Sequence, residues 1–176
     1  NGQDQEGRVL VYPGTATLTP GFPPTVLELD LDGVQLGTSV AAAGDVNNDS
    51  FDDMIVSTIT AVMVYAGSAN GLVTTPLWSI PDDQPGSGFG AVVASAGDVN
   101  NDGYDDVVVG APQYDNGHPG EGRVFLYLGS ATGPALSATW SASGGQDGAR
   151  FGAALAAAGD MNHDGYDDLL IGAPGY

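Results

Sequence analysis

Apolar positions recur in one order along this chain. A run of small residues (FGAVVASAG at 89–97, FGAALAAAG at 151–159) leads into a polar loop, and the loop leads into an uninterrupted apolar run (VVVG at 107–110, LLIG at 169–172). A third run with a shared tyrosine follows, RVFLYLGS at 123–130 and AVMVYAGS at 61–68, and it reads as an alternating strand. A last segment carries Trp78 or Trp140. Short runs of this kind, bounded by Gly, Pro, Asn and Asp, predict four strands to a unit. Small side chains suit the crowded axis of a radial array, and the continuous apolar strand suits burial on both faces.

The loop repeats more strictly than the strands. Residues 43–57 read AGDVNNDSFDDMIVS, residues 96–110 AGDVNNDGYDDVVVG and residues 158–172 AGDMNHDGYDDLLIG. Phe89-Gly90 and Phe151-Gly152 precede two of the copies, and Leu36-Gly37 precedes the first. Gly-Ala-Pro follows at 110–112 and 172–174, where the first copy has Ser57-Thr58-Ile59. Four-stranded units repeating at 53 and 62 residues between Asp45, Asp98 and Asp160 predict an all-β protein built of β-propeller blades, since the coils of a β-solenoid are much shorter. The expected organisation is the second half of a blade at 1–34, a degenerate repeat at 35–86, a second repeat at 87–148 and the first half of a third at 149–176.

Residues 1–12 (NGQDQEGRVLVY) match 116–127 (NGHPGEGRVFLY), and 172–176 (GAPGY) match 110–114 (GAPQY). The chain is therefore expected to start in mid-unit and to stop where its own beginning would continue. Three blades fall short of the 4 to 8 typical of a propeller. The terminal half-blades are expected to complement each other or a neighbouring copy, in a closed dimer or a head-to-tail array, unless the sequence is part of a longer propeller.

Charge narrows the function. Twenty-two acids face three arginines, Arg8, Arg123 and Arg150, for a net charge of -19. Nucleic acid and anionic membrane surfaces are repelled by such a chain, while multivalent cations are drawn to it. No apolar run is long enough to span a bilayer, and Cys is absent, so thiolate metal sites are excluded and cysteine pairing says nothing of compartment.

The acids are not spread evenly. Each loop gathers four within nine residues, so the three loops hold twelve of the 22. Like charges this close raise one another's pKa or require a cation. Calcium takes 6 to 8 oxygen ligands, and a tight loop D-x-N-x-D-G-x-D-D turns positions 1, 3, 5 and 9 inward with a carbonyl from position 7. The candidate ligands are Asp45, Asn47, Asp49, Asp53 and the Phe51 carbonyl in loop one. Loop two offers Asp98, Asn100, Asp102, Asp106 and the Tyr104 carbonyl, and loop three Asp160, Asn162, Asp164, Asp168 and the Tyr166 carbonyl. Gly103 and Gly165 suit a left-handed turn at position 6, where loop one has Ser50, so three Ca²⁺ sites are expected with the first weakest. Asp52, Asp105 and Asp167, at position 8, are expected to be surface carboxylates or hydrogen-bond acceptors for the loop.

Other readings are weaker. An EF-hand needs a bidentate Glu at position 12, where Val56, Val109 and Ile171 stand, and these loops run into strands. A solvated turn leaves the acid clustering unexplained. Catalysis lacks machinery: His118 and His163 are the two histidines, both in loops, with no nucleophile elbow, so no enzyme is expected. Trp78 and Trp140 stand at equivalent points, which favours packing between blades over carbohydrate stacking, although a calcium-dependent lectin remains the alternative.

Phe-Gly, then GDVNNDGYDD, then VVVGAP resembles the FG-GAP repeat of integrin α-subunit propellers and of many secreted bacterial proteins. The second and third copies match it closely. The resemblance implies calcium in the loop between the first two strands of a blade, bound by positions 1, 3, 5, 7 and 9, and a role in adhesion or as a non-catalytic module of a larger secreted enzyme. Sites of modest affinity fill where calcium is near millimolar, so an extracellular, secreted, periplasmic or cell-surface location is expected.

Overall fold

The computed structural model describes residues 4–14 and 23–176. Residues 1–3, the start of the match between the chain's head and its middle, lie outside the described residues. The described residues form antiparallel strands and no helix. Two four-stranded sheets stand in the middle. The first has strands β3 (Val40–Gly44), β4 (Asp53–Ser57), β5 (Ala61–Tyr65) and β6 (Trp78–Pro81) in simple order. The second has β7 (Val92–Gly97), β8 (Asp106–Ala111), β9 (Arg123–Tyr127) and β10 (Trp140–Ser143) in the same order. Before them comes a pair, β1 (Val9–Val11) with β2 (Thr25–Leu27), and after them another, β11 (Ala154–Gly159) with β12 (Asp168–Gly172). Each four-stranded meander is a propeller blade.

The small-residue strands pack on one another, with β7 between β3 and β11, because Ala, Ser and Gly let the inner edges of successive blades approach closely. In all three the register shifts just before the loop, pairing Gly44 with Asp53, Gly97 with Asp106 and Gly159 with Asp168. Gly44 and Gly97 take φ of 76° and 73°, and a Cβ on them would run into the carboxylates of Asp105 and Asp167 from the next blade. Any other residue at either position would meet both costs.

The hydrophobic cores lie between blades. One joins Val62, Val64 and Trp78 of the first blade to Phe89, Val107, Phe125 and Tyr127 of the second. A second joins Val9 and Leu27 to Leu36, Val56 and Tyr65, and a third joins Val108 and Val124 to Phe151, Leu155 and Leu169. This placement corrects the expected alternation of the tyrosine strand. Val62, Met63, Val64 and Tyr65 are all buried, because neighbouring sheets cover both faces of β5.

Two substitutions in the first repeat are explained by local contacts. Leu36-Gly37 occupies the place of Phe89-Gly90, with the apolar side chain buried and the glycine at φ 93° against 82°. Ser57 replaces Gly110; its hydroxyl donates to the Gly90 carbonyl (2.7 Å) and accepts the Ser39 N–H (3.0 Å), so the added side chain is absorbed by hydrogen bonds.

Trp78 bridges the two blades, its ring edge-on to Tyr127 at 5.1 Å and its indole N–H donating to the Ala135 carbonyl at 3.0 Å. It is 5% exposed, whereas Trp140, with only the short β11–β12 pair beyond it, is 45% exposed. Trp78→Ala is expected to cost about 3–5 kcal/mol in denaturant unfolding, as buried aromatic truncations do, and Trp140→Ala under about 1 kcal/mol. Equal losses at the two positions would contradict this inter-blade packing.

Candidate metal centre

The three acidic loops connect the first two strands of each unit, so all lie at inner hairpins, between β3 and β4, β7 and β8, and β11 and β12. Their backbones repeat. Asn48, Asn101 and His163 at position 4 have φ of 56°, 57° and 61°, and Ser50, Gly103 and Gly165 at position 6 have φ of 75°, 89° and 93°. The position-6 turn is therefore left-handed in all three, and only Ser50 carries a Cβ through it, at a cost of about 1–2 kcal/mol.

Side-chain oxygens converge on each loop's interior and accept its own N–H groups. The first Asp takes two: Asp49 N–H and Ser50 N–H donate to Asp45 at 2.9 and 2.7 Å. Asp102 and Gly103 donate to Asp98 at 3.0 and 2.8 Å, and Asp164 and Gly165 donate to Asp160 at 3.1 and 2.9 Å. The position-3 Asn carbonyl accepts from position 5 at 3.0 to 3.1 Å, and the position-5 Asp accepts from position 7 at 3.0 Å. Among the described residues no three His, Cys, Asp or Glu side chains stand together as a ready-made metal cluster. The donor set is wholly hard oxygen, which fits a calcium-type ion; binding would exchange some of these N–H bonds for the cation.

Two of the three position-9 aspartates are buried. Asp53 and Asp106 are 3% and 0% exposed and tie the head of the loop to the end of the blade's third strand, accepting from Val46 and Gly67, and from Val99 and Gly129, at 2.8 to 3.0 Å. Asp168 accepts from Met161 at 3.0 Å. Burial pushes the Asp106 carboxyl up to about 6, helped by the charges of Asp102 and Asp98 and opposed by its two backbone N–H partners. Asp53 is raised for the same reason, with Asp49 and Asp45 adding.

Position 8 has a role that sequence reasoning left open. Asp105 accepts the N–H of Asp45 in the preceding blade's loop at 2.8 Å and donates its own N–H to the Asp45 carbonyl at 3.1 Å. Asp167 does the same with Asp98, at 3.1 and 3.2 Å. The heads of loops one and two are thus latched to the next blade. Burial raises the Asp105 pKa, with Asp45, Asp98 and Asp167 adding repulsion.

Glu121 was also missed. It is 2% exposed and accepts N–H groups from Asn116, His118 and Gly145, so it organises the long loop before β9. The repeated Gly-Glu-Gly-Arg and Gln-Glu-Gly-Arg at 120–123 and 5–8 was the available signal. His118 sits in that loop on the surface, 2.9 Å from Asp147, and His163 is exposed.

The FG-GAP repeat family model matches residues 89–127 and 151–176, the two copies that carry Phe-Gly and Gly-Ala-Pro. The chain is 35% identical to integrin alpha-5 of Xenopus laevis over 152 residues, 81% of this chain and 14% of that protein. It is 36% identical to integrin alpha-7 of Homo sapiens over 166 residues, 84% of this chain and 13% of that one. With integrin alpha-2 of Bos taurus it shares 41% over 117 residues, 64% of this chain and 10% of that protein. The chain thus spans about one seventh or less of the length of the curated relatives it matches.

The raised carboxyls set a pH dependence. Asp106 binds its proton more tightly folded, near pH 6, than at its ordinary 3.8. Its contribution is fully present below the unfolded value and is lost as pH rises through about 6. In calcium-free buffer the urea midpoint is expected to be higher at pH 5 than at pH 7. A midpoint that is unchanged or falls on acidification would contradict the burial of these groups.

Proposed function

The chain is an FG-GAP repeat protein that resembles the integrin α-subunits, and on that premise we propose that it is a calcium-binding extracellular module for adhesion or structural assembly, without catalysis of its own. The observation that carries the calcium reading is the threefold recurrence of one left-handed oxygen-lined hairpin. It sits where inter-blade contacts bring further carboxylates together. Asp45, Asn47, Asp49, Asp53 and the Phe51 carbonyl would hold the first ion; Asp98, Asn100, Asp102, Asp106 and the Tyr104 carbonyl the second; Asp160, Asn162, Asp164, Asp168 and the Tyr166 carbonyl the third. The ion would neutralise the cluster and tie both strands of the hairpin together.

Such loops fill at the calcium levels found outside cells, which supports a secreted or cell-surface setting. Among the described residues no helix is long and apolar enough to cross a membrane. Partners of this module are proteins, further copies of the chain among them. The net charge of -19 disfavours nucleic acid. Carbohydrate is the weaker alternative, because Trp78 is engaged between blades.

Calorimetric titration tests the reading. Three calcium equivalents are expected to bind, one more weakly. Ser50→Gly is expected to raise the denaturant-unfolding free energy of the calcium-free chain by about 1–2 kcal/mol, the left-handed strain that the serine carries in the folded loop. No heat of binding at millimolar calcium would contradict the calcium reading, and a Ser50→Gly variant no more stable than the parent would contradict the strain at position 6.

A further inference from the structure

Loops one and two are joined by more than the Asp105 latch, because two short segments of the second blade each touch both loops. In segment 105–106, Asp105 exchanges two hydrogen bonds with the backbone of Asp45 at the head of loop one, at 2.8 and 3.1 Å. Its neighbour Asp106 belongs to loop two, where its carboxylate accepts the Val99 N–H at 2.9 Å. One peptide step therefore serves two loops.

Segment 129–130, just past β9, does the same. The Gly129 N–H donates to the Asp106 carboxylate at 2.8 Å, and the Ser130 N–H donates to the Val46 carbonyl of loop one at 3.1 Å. A side chain at 129 has no room, since a Cβ there would meet the carbonyl oxygens of Asp105 and Val46 and the Cβ of Tyr104. Glycine is set at this position by the close approach of both loops to one strand end.

Val46 and Asp106, the groups so joined, are both 0% exposed, whereas the tips at Asn48 to Ser50 and Asn101 to Gly103 are exposed. Each loop is thus an exposed tip on a buried base, and the two bases are hydrogen-bonded into one body. The first connection recurs between loops two and three. Asp167 exchanges bonds with the Asp98 backbone at 3.1 and 3.2 Å, while Asp168 beside it accepts the Met161 N–H of loop three.

We propose that the three loops load as a coupled series: an ion held in loop two raises the affinity of loop one through segments 105–106 and 129–130, and an ion in loop three raises that of loop two through 167–168. This rests on the calcium reading above and adds the regulation of those sites. An ion in loop two would draw Asp98, Asp102 and Asp106 together and so fix the segments that hold the Asp45 backbone and the Val46 carbonyl. Loop one then has less backbone freedom left to lose when its own ion arrives. Repulsion between the ions opposes this, but at about 0.15 M salt charges in water are screened over about 8 Å. The connecting hydrogen bonds act at contact, two of them on fully buried groups, so their effect is the larger. In low salt the repulsion grows and the coupling weakens.

Amide NMR on the intact chain separates the loops, because the Ser50, Gly103 and Gly165 N–H groups each bond the first Asp of their own loop. In a calcium titration of the unaltered chain the Ser50 and Gly103 signals are expected to give curves steeper than independent one-site binding. Asp102→Ala, which disables loop two, is expected to raise the half-saturating calcium of loop one about fivefold. On an Asp105→Ala background the same change should move loop one by less than about twofold. Asp105→Asn, whose amide oxygen still accepts the Asp45 N–H, is expected to restore most of the effect. With loop one disabled by Asp49→Ala, calcium in the other loops should still slow hydrogen exchange of the Asp45 N–H. Independent one-site curves in the unaltered chain, or a loop one that ignores Asp102→Ala, would overturn the coupling and leave the calcium reading standing. No shift of any loop amide at millimolar calcium would sink the calcium reading and the coupling with it.

Discussion

Backbone N–H groups at the heads of the acidic loops bond carboxylates of the following blade, Asp45 to Asp105 and Asp98 to Asp167. This reciprocal contact sets how closely successive inner strands approach, and it demands glycine at 44 and 97. It also concentrates negative charge. Asp105 lies near enough to Asp45, Asp98 and Asp167 for each to raise its pKa, and Asp106 is raised to about 6. An ion bearing two positive charges, held by these loops as proposed, would relieve that repulsion at the joint between blades.

The rest of the packing is arranged around that joint. Apolar cores lie between sheets, so a blade without neighbours would expose both faces, and stability comes from stacking units one against the next. Outer strands contribute through single anchors such as Trp78, which reaches the next blade by its ring edge and its indole N–H.

Much of this was legible in the sequence because the repeat displays each feature more than once. Strand order, the hairpin position of the acidic loops and the left-handed turn at Gly103 and Gly165 follow from local pattern. What was not legible depends on partners distant in the chain. Asp105 looks like a surface carboxylate until Asp45, sixty residues earlier, is brought to it. The apparent alternation of β5 disappears because a neighbouring sheet covers its second face. Ser57 reads as a degenerate glycine, yet its hydroxyl finds the Gly90 carbonyl. Periodicity within one strand carries no information about any of these.

The most direct measurement compares thermal unfolding of the intact chain in millimolar calcium with unfolding in excess EDTA at neutral pH and matched ionic strength. If a divalent ion relieves the crowding of carboxylates at the blade joints, the midpoint falls by several degrees or more on chelation, and returning calcium restores it. A midpoint identical in the two buffers would contradict the account.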